Sequence, residues 1–207
     1  MLRNVGQKIA CFLIPALLVF GMPASAAIVP GEKAPNFTLY DVSGNTFKLS
    51  DHAGKIIVLE WNNPECPFVH KYYDSGAMQA LQKKYTAQDV VWVMINSAAS
   101  GKQGFQESTQ ALATAVERGA APSFILPDPT GKVGHLYQAK TTPHMYVINK
   151  GMRLAYIGAI DSTPSTDKAD IPKSQNYVVR ALEELMEGKD VTIPTTRAYG
   201  CSVKYAD

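Results

Sequence analysis

Apolar positions follow two rhythms along this chain. Lys55–Trp61 (KIIVLEW) and Asp89–Asn96 (DVVWVMIN) are short, almost continuous β-branched runs, the pattern of strands buried on both faces. Ser123–Leu126 predicts a third strand, and Met145–Asn149 with Arg153–Gly158 an antiparallel pair turning at Lys150-Gly151. Helical spacing runs from Pro67 to about Tyr85, from Phe105 to Arg118 and from Ser174 to Glu187, with a shorter helix ending at Tyr137. Ahead of these, Ala34–Tyr40 and Thr46–Leu49 flank the turn Ser43-Gly44-Asn45 and predict a hairpin. Asp161–Lys173 is a polar loop, and Val191–Asp207 a tail. Strands alternate with helices first, and an antiparallel pair and a helix follow. That order predicts an α/β fold with a mixed central sheet flanked by helices.

The first residues have a different pattern. Arg3 and Lys8 precede an apolar run from Ile9 to Met22, and Ala24-Ser25-Ala26 sets small residues where a signal peptidase cuts. The run is short for a membrane span. Residues 1–26 are therefore expected to be a cleaved signal peptide, 27–190 one domain and 191–207 a C-terminal tail. The expected location is the periplasm, or outside the cell, with no stable span after cleavage. The chain holds 20 Lys+Arg and 18 Asp+Glu, and loss of Arg3 and Lys8 leaves 18 of each. Nothing in that balance suggests a nucleic-acid or membrane-surface protein.

Charge bears on cysteine usage only through the leader, which removes Cys11 and leaves Cys66 and Cys201. An exported chain with one pair reads as one disulfide. A plain staple across the 135 residues between them would be worth about 4–5 kcal/mol in the chain-entropy model. A working redox pair is the alternative. Buried strand, loop and helix in succession set Cys66 at the sheet's carboxyl edge and at a helix start, where a thiolate is favoured. His70, one turn on, would favour the anion when protonated, and Glu65 would oppose it. His144 is a second candidate neighbour.

Several segments then coincide: Pro30-Gly-Glu-Lys-Ala-Pro-Asn-Phe-Thr-Leu, Gly54-Lys-Ile-Ile-Val-Leu, the cysteine at the helix start, and Thr141-Thr-Pro-His-Met-Tyr-Val-Ile-Asn-Lys-Gly. In this order they resemble the redoxin group of the thioredoxin superfamily, which includes peroxiredoxins of the alkyl hydroperoxide reductase and thiol-specific antioxidant type and TlpA-like thiol oxidoreductases. Gly200-Cys-Ser-Val-Lys resembles a peroxiredoxin-like branch. The resemblance implies a thioredoxin-like fold, thiol oxidoreductase activity without a cofactor, and a thiol or disulfide protein partner or reductant, with peroxide as a further possible substrate. It implies a cis Pro143 that holds the Thr142 backbone against the thiol to pair with an extended substrate segment. It makes Glu60 a buried acid that exchanges a proton with the thiol, and Trp61 a residue packed beneath the site.

The departures matter as much. Thioredoxins carry Cys-x-x-Cys, and Val69 stands at the second position, so a resolving thiol must be remote. Peroxiredoxins carry Pro-x-x-x-Thr-x-x-Cys, and Leu59 and Asn63 stand at the first two positions; Pro143 stands where they place an arginine. The expectation is a thiol–disulfide oxidoreductase with Cys66 as nucleophile and Cys201 as resolver. Alternatives are a thiol peroxidase, a binding domain with a stapled tail, and a copper-binding assembly factor using Cys66, His70 and His144, since thiolate and imidazole suit copper.

Overall fold

The computed structural model describes Met1 and residues 28–206. Apart from Met1, the expected signal peptide lies outside the described residues. A hairpin of β1 (Thr38–Tyr40) and β2 (Thr46–Lys48) leads to β3 (Ile57–Trp61), α1 (Pro67–Tyr73), α2 (Ala77–Thr86), β4 (Val91–Asn96) and α3 (Ser108–Glu117). Then come β5 (Phe124–Pro127), α4 (Lys132–Leu136), β6 (Thr141–Thr142), β7 (His144–Ile148), β8 (Leu154–Gly158), α5 (Tyr177–Met186) and β9 (Cys201–Ser202). The main sheet has the order β5-β4-β3-β7-β8. β3, β4 and β5 run parallel, and β7 is antiparallel to both β3 and β8.

β3 is the central strand, and every one of its residues is buried. Its alternate side chains feed two cores. Ile57, Leu59 and Trp61 pack with Phe37, Phe47, Tyr137 and Tyr146 on one face. Val58 packs with Val69, Tyr72, Trp92 and Val147 on the other, the face that also holds Cys66. Each branched or aromatic side chain buried there contributes roughly 1.5–3 kcal/mol, which is why a continuous apolar run settles at the centre.

Two expectations are corrected. The helix predicted over Pro67–Tyr85 is two helices. Gly76, at φ 77°, adopts the left-handed conformation that a right-handed helix cannot continue through, and the Gln79 side chain donates to Tyr73 O (2.8 Å), closing the end of α1. α5 starts at Tyr177 because the Asn176 side chain accepts the Val179 N–H (2.9 Å) as an N-cap. The C-terminal tail folds back onto the domain. It runs along the outer edge of β8, with Ile157 N–H donating to Pro194 O (3.0 Å) and Thr196 N–H to Ile157 O (3.1 Å). It then forms β9 against β6, and Tyr205 ends stacked on His135 with ring centroids 4.0 Å apart. At the opposite edge Val42 N–H donates to Ile125 O (3.1 Å), covering β5. Among the described residues no helix is long and apolar enough to cross a membrane.

Candidate active site

Cys66 is the N-cap of α1, in extended conformation (φ −82°, ψ 124°), with Pro67 as the first helical residue. Proline fits there because the first N–H groups of a helix have no partner within it. The Cys66 N–H donates to Asn63 O (3.1 Å), and its carbonyl accepts the N–H groups of Val69 and His70 (2.9 Å each). The side chain thus hangs at the carboxyl end of β3, 1% exposed.

Opposite it lies the Thr142-Pro143 peptide, which is cis as expected. β9 pairs antiparallel with β6, Thr142 opposite Cys201 and Thr141 opposite Ser202. The register brings Cys66 Sγ within 2.8 Å of Cys201 Sγ and 3.0 Å of Thr142 O. Both cysteines are free thiols. Gly200 makes the approach possible. Its φ is +142°, and a Cβ there would stand 2.1 Å from Thr142 O.

The two thiols differ in acidity. Burial pushes Cys66 up, but hydrogen bonding with the Cys201 thiol, with Thr142 and with the Cys201 and Val69 backbone outweighs it, and the net shift is downward. Cys201 is pushed up to about 11, first by burial and then by facing Cys66. The pair therefore titrates as a unit in which Cys66 is the more acidic partner. While protonated, Cys66 has Thr142 O as its acceptor; once ionised, it accepts from Cys201.

The remaining candidates are placed less simply. Glu60 is fully buried, as expected. Its Oε1 accepts from Asn62 Nδ2 (2.9 Å) and Tyr73 OH (2.8 Å), and its Oε2 from Gln82 Nε2 (3.2 Å) and Trp92 Nε1 (2.8 Å). Burial raises its pKa against the pull of these four bonds. Neither sulfur is among its partners. Trp61 packs in the cluster on the sheet face opposite Cys66, against Tyr146 (5.1 Å) and Tyr137 (5.6 Å), and donates to Ser97 Oγ (3.1 Å). His70 turns outward to Asp74 (3.2 Å). His144 is buried against Tyr146 OH (3.0 Å) and the Lys140 N–H (3.3 Å), and burial lowers its pKa to about 4. The alternative copper set of Cys66, His70 and His144 is not assembled, and among the described residues no group of three or more His, Cys, Asp or Glu could hold a metal ion.

One cluster went unseen in the sequence. Asp161, in the loop after β8, is buried and faces Lys71 Nζ (3.2 Å), Tyr72 OH and Tyr199 OH, and accepts the Thr163 N–H (2.8 Å). The one signal was a lysine beside two tyrosines on a short helix that must bury a face.

A protein-family profile described as the AhpC/TSA family matches residues 30–157. Among solved structures, an uncharacterized conserved protein from Geobacillus kaustophilus is similar at 29% identity and TM-score 0.77, over 90% of this chain and 98% of that one. A putative thiol:disulfide interchange protein DsbE from Chlorobium tepidum is similar at 25% identity and TM-score 0.51, over 62% of this chain and 83% of that one. A putative thioredoxin from Neisseria meningitidis, at 18% identity and TM-score 0.55 over 77% and 93%, shares the fold. No curated protein matches the chain. The fold is thioredoxin-like.

Proposed function

The chain belongs to the AhpC/TSA family of redoxins, and on that premise we propose that it is an exported thiol–disulfide oxidoreductase in which Cys66 is the nucleophile and Cys201 the resolving cysteine. The observation that carries this reading is the 2.8 Å separation of two free thiols of unequal acidity. A permanent staple has no use for an acidic thiol at a helix start.

The steps follow from the geometry. The Cys66 thiolate attacks one sulfur of a partner disulfide, forming a mixed disulfide and expelling the partner's other sulfur as a thiolate. Cys201 then gives up its proton and attacks Cys66 Sγ. The Cys66–Cys201 bond forms, the mixed disulfide breaks, and the partner leaves as a dithiol once both its sulfurs are protonated. Run backwards, the same steps oxidise a partner dithiol. Thr142-Pro143 serves as the docking edge, and the pairing of Thr142 with Cys201 sets the register a partner segment would follow once β9 moves aside. Glu60, buried and with its pKa raised by burial, is the acid assigned to exchange the Cys66 proton, and Trp61 contributes packing from the far face. Export rests on the leader pattern of residues 1–26.

The test is an equilibrium redox titration read by alkylation and mass spectrometry. A bond that opens reversibly between roughly −120 and −270 mV supports the reading. A bond that stays closed well below about −300 mV makes it a staple. Cys201→Ser should trap a mixed disulfide at Cys66, and Cys66→Ser should abolish exchange.

A further inference from the structure

The buried Asp161 carboxylate touches both cysteine-bearing segments. Its Oδ2 takes Lys71 Nζ and Tyr72 OH, both on α1, the helix that Cys66 begins. Its Oδ1 takes Tyr199 OH, two residues before Cys201, and the Thr163 N–H. The Tyr199 ring also meets Phe68 of α1, centroids 5.7 Å apart. Lys71 and Asp161 are both wholly buried as side chains. A buried ion pair is weak as a source of stability, because desolvation offsets the attraction, and its attested use is to fix one arrangement over others. The arrangement fixed here is that of the tail on α1. Beside it lies a cavity of about 600 Å³ lined by Asp161, Ser162, Tyr199 and Gly200, so the tail is not wedged in place from that side.

We propose that Asp161 and Tyr199 are positioning residues: the Tyr199–Asp161 hydrogen bond latches the tail to α1 and so sets the effective concentration of Cys201 at Cys66. The proposal rests on the thiol-exchange reading for its chemistry and on the cluster alone for its geometry. In the step it serves, Cys201 as thiolate attacks the Cys66 sulfur of a mixed disulfide, its proton passes to solvent, and the bound thiol leaves with the bonding pair.

The experiment uses the purified protein with glutathione as probe, comparing the native chain with Tyr199→Phe. That change deletes one hydroxyl and keeps the ring against Phe68. The equilibrium constant for forming Cys66–Cys201 from glutathione disulfide should fall about tenfold, the value of a hydrogen bond to a charged group. Alkylation of Cys66 in the reduced protein should quicken by a comparable factor, because the latch keeps that sulfur covered. A lower thermal midpoint with both quantities unchanged within a factor of about two would show a merely structural contact and overturn the proposal. If the native protein itself stops at a glutathione mixed disulfide, the oxidoreductase reading fails, and the Cys66 alkylation rate still decides on the latch. Phe68→Leu, which loosens the same contact from the helix side, repeats both measurements should Tyr199→Phe not fold.

Discussion

Thr142 and Cys201 face each other across an antiparallel ladder of two residue pairs, and this contact puts a sulfur from 135 positions away against Cys66. It is made by backbone, so it tolerates many side chains at Ser202. At Gly200, where the tail crosses Thr142 O, it tolerates none.

Gly200→Ala should therefore act on chemistry before stability. The new Cβ, 2.1 Å from Thr142 O, must push β9 off β6. Displacement of a reacting group by about 1 Å can cost on the order of a hundredfold in rate. The rate of Cys66–Cys201 formation under oxidant, followed by quenched alkylation, should fall at least tenfold by that reasoning. Circular dichroism should stay unchanged, since both cores lie elsewhere. A native rate in Gly200→Ala would mean the ladder does not position Cys201.

The acidity of Cys66 should depend on its neighbour. Burial alone would raise its pKa, and the Cys201 thiol is the leading influence that lowers it. In Cys201→Ala that donor is gone, so the ionisation of Cys66, read from thiolate ultraviolet absorbance, should move to higher pH. At a fixed neutral pH the thiolate fraction and the alkylation rate per exposed thiol should drop. An unmoved titration would assign the acidity to α1 instead.

Glu60 gathers four buried donors, and removing it strips the acceptor from Asn62 Nδ2 and Trp92 Nε1, while Gln82 Nε2 keeps Tyr73 OH (3.0 Å) and Tyr73 OH keeps Met94 Sδ (3.2 Å). Glu60→Ala should cost roughly 2–6 kcal/mol in urea denaturation, at about 1–3 kcal/mol for each of the two buried donors left unpaired. Glu60→Gln should cost far less, because an amide nitrogen at the Oε1 position can be met by a turned Asn62 amide and by Tyr73 OH as acceptor. Burial raises the native pKa of Glu60, so the folded state holds its proton to higher pH than the unfolded chain. Stability from this group is greatest below the unfolded value and declines as pH rises through the folded one. Glu60→Gln should flatten that decline.

His144 gives the opposite slope in its own window. Its pKa is about 4 in the fold, against 6.5 ordinarily, because burial disfavours the cation. Between these values the unfolded chain binds a proton that the folded one does not. Stability is fully present above pH 6.5 and falls as pH drops toward 4, by up to about 3 kcal/mol. His144→Asn keeps an acceptor for the Lys140 N–H and Tyr146 OH, and should remove that part of the acid sensitivity in denaturation series run across the window. A slope equal to that of the native protein would mean His144 is free to ionise in the fold.

The central strands were legible because a strand covered on both faces must be apolar at every position, as β3 and β4 are. Cys66 was legible for a related reason: a buried run, a short loop and Pro67 leave one place for it. The break at Gly76 was hidden, since Tyr72, Met78 and Tyr85 continue an apolar spacing on either side of the gap, and only the backbone angle of one glycine interrupts it. The place of Cys201 was hidden more deeply. A two-residue strand has no periodicity, and its pairing runs through groups that every residue shares. Asp161 looked like a loop residue because the side chains that bury it come from 90 positions before it and 38 after.

The run from Pro194 to Thr196 along β8 has a bearing on colloidal behaviour. An open strand edge is a template for another copy of the same chain. Here Gly31 and Glu32 cover that edge at Leu154 and the segment that continues to Cys201 covers it at Ile157, while Val42 screens the far edge at β5. The tail therefore divides at about Thr196 into a half that keeps neighbouring molecules apart and a half that reaches the sulfur. Motion that serves exchange has to stay within the second half, from Arg197 onward. A version cut after Tyr199 should lose the thiol pair and remain dispersed, whereas one cut before Val191 should self-associate through β8.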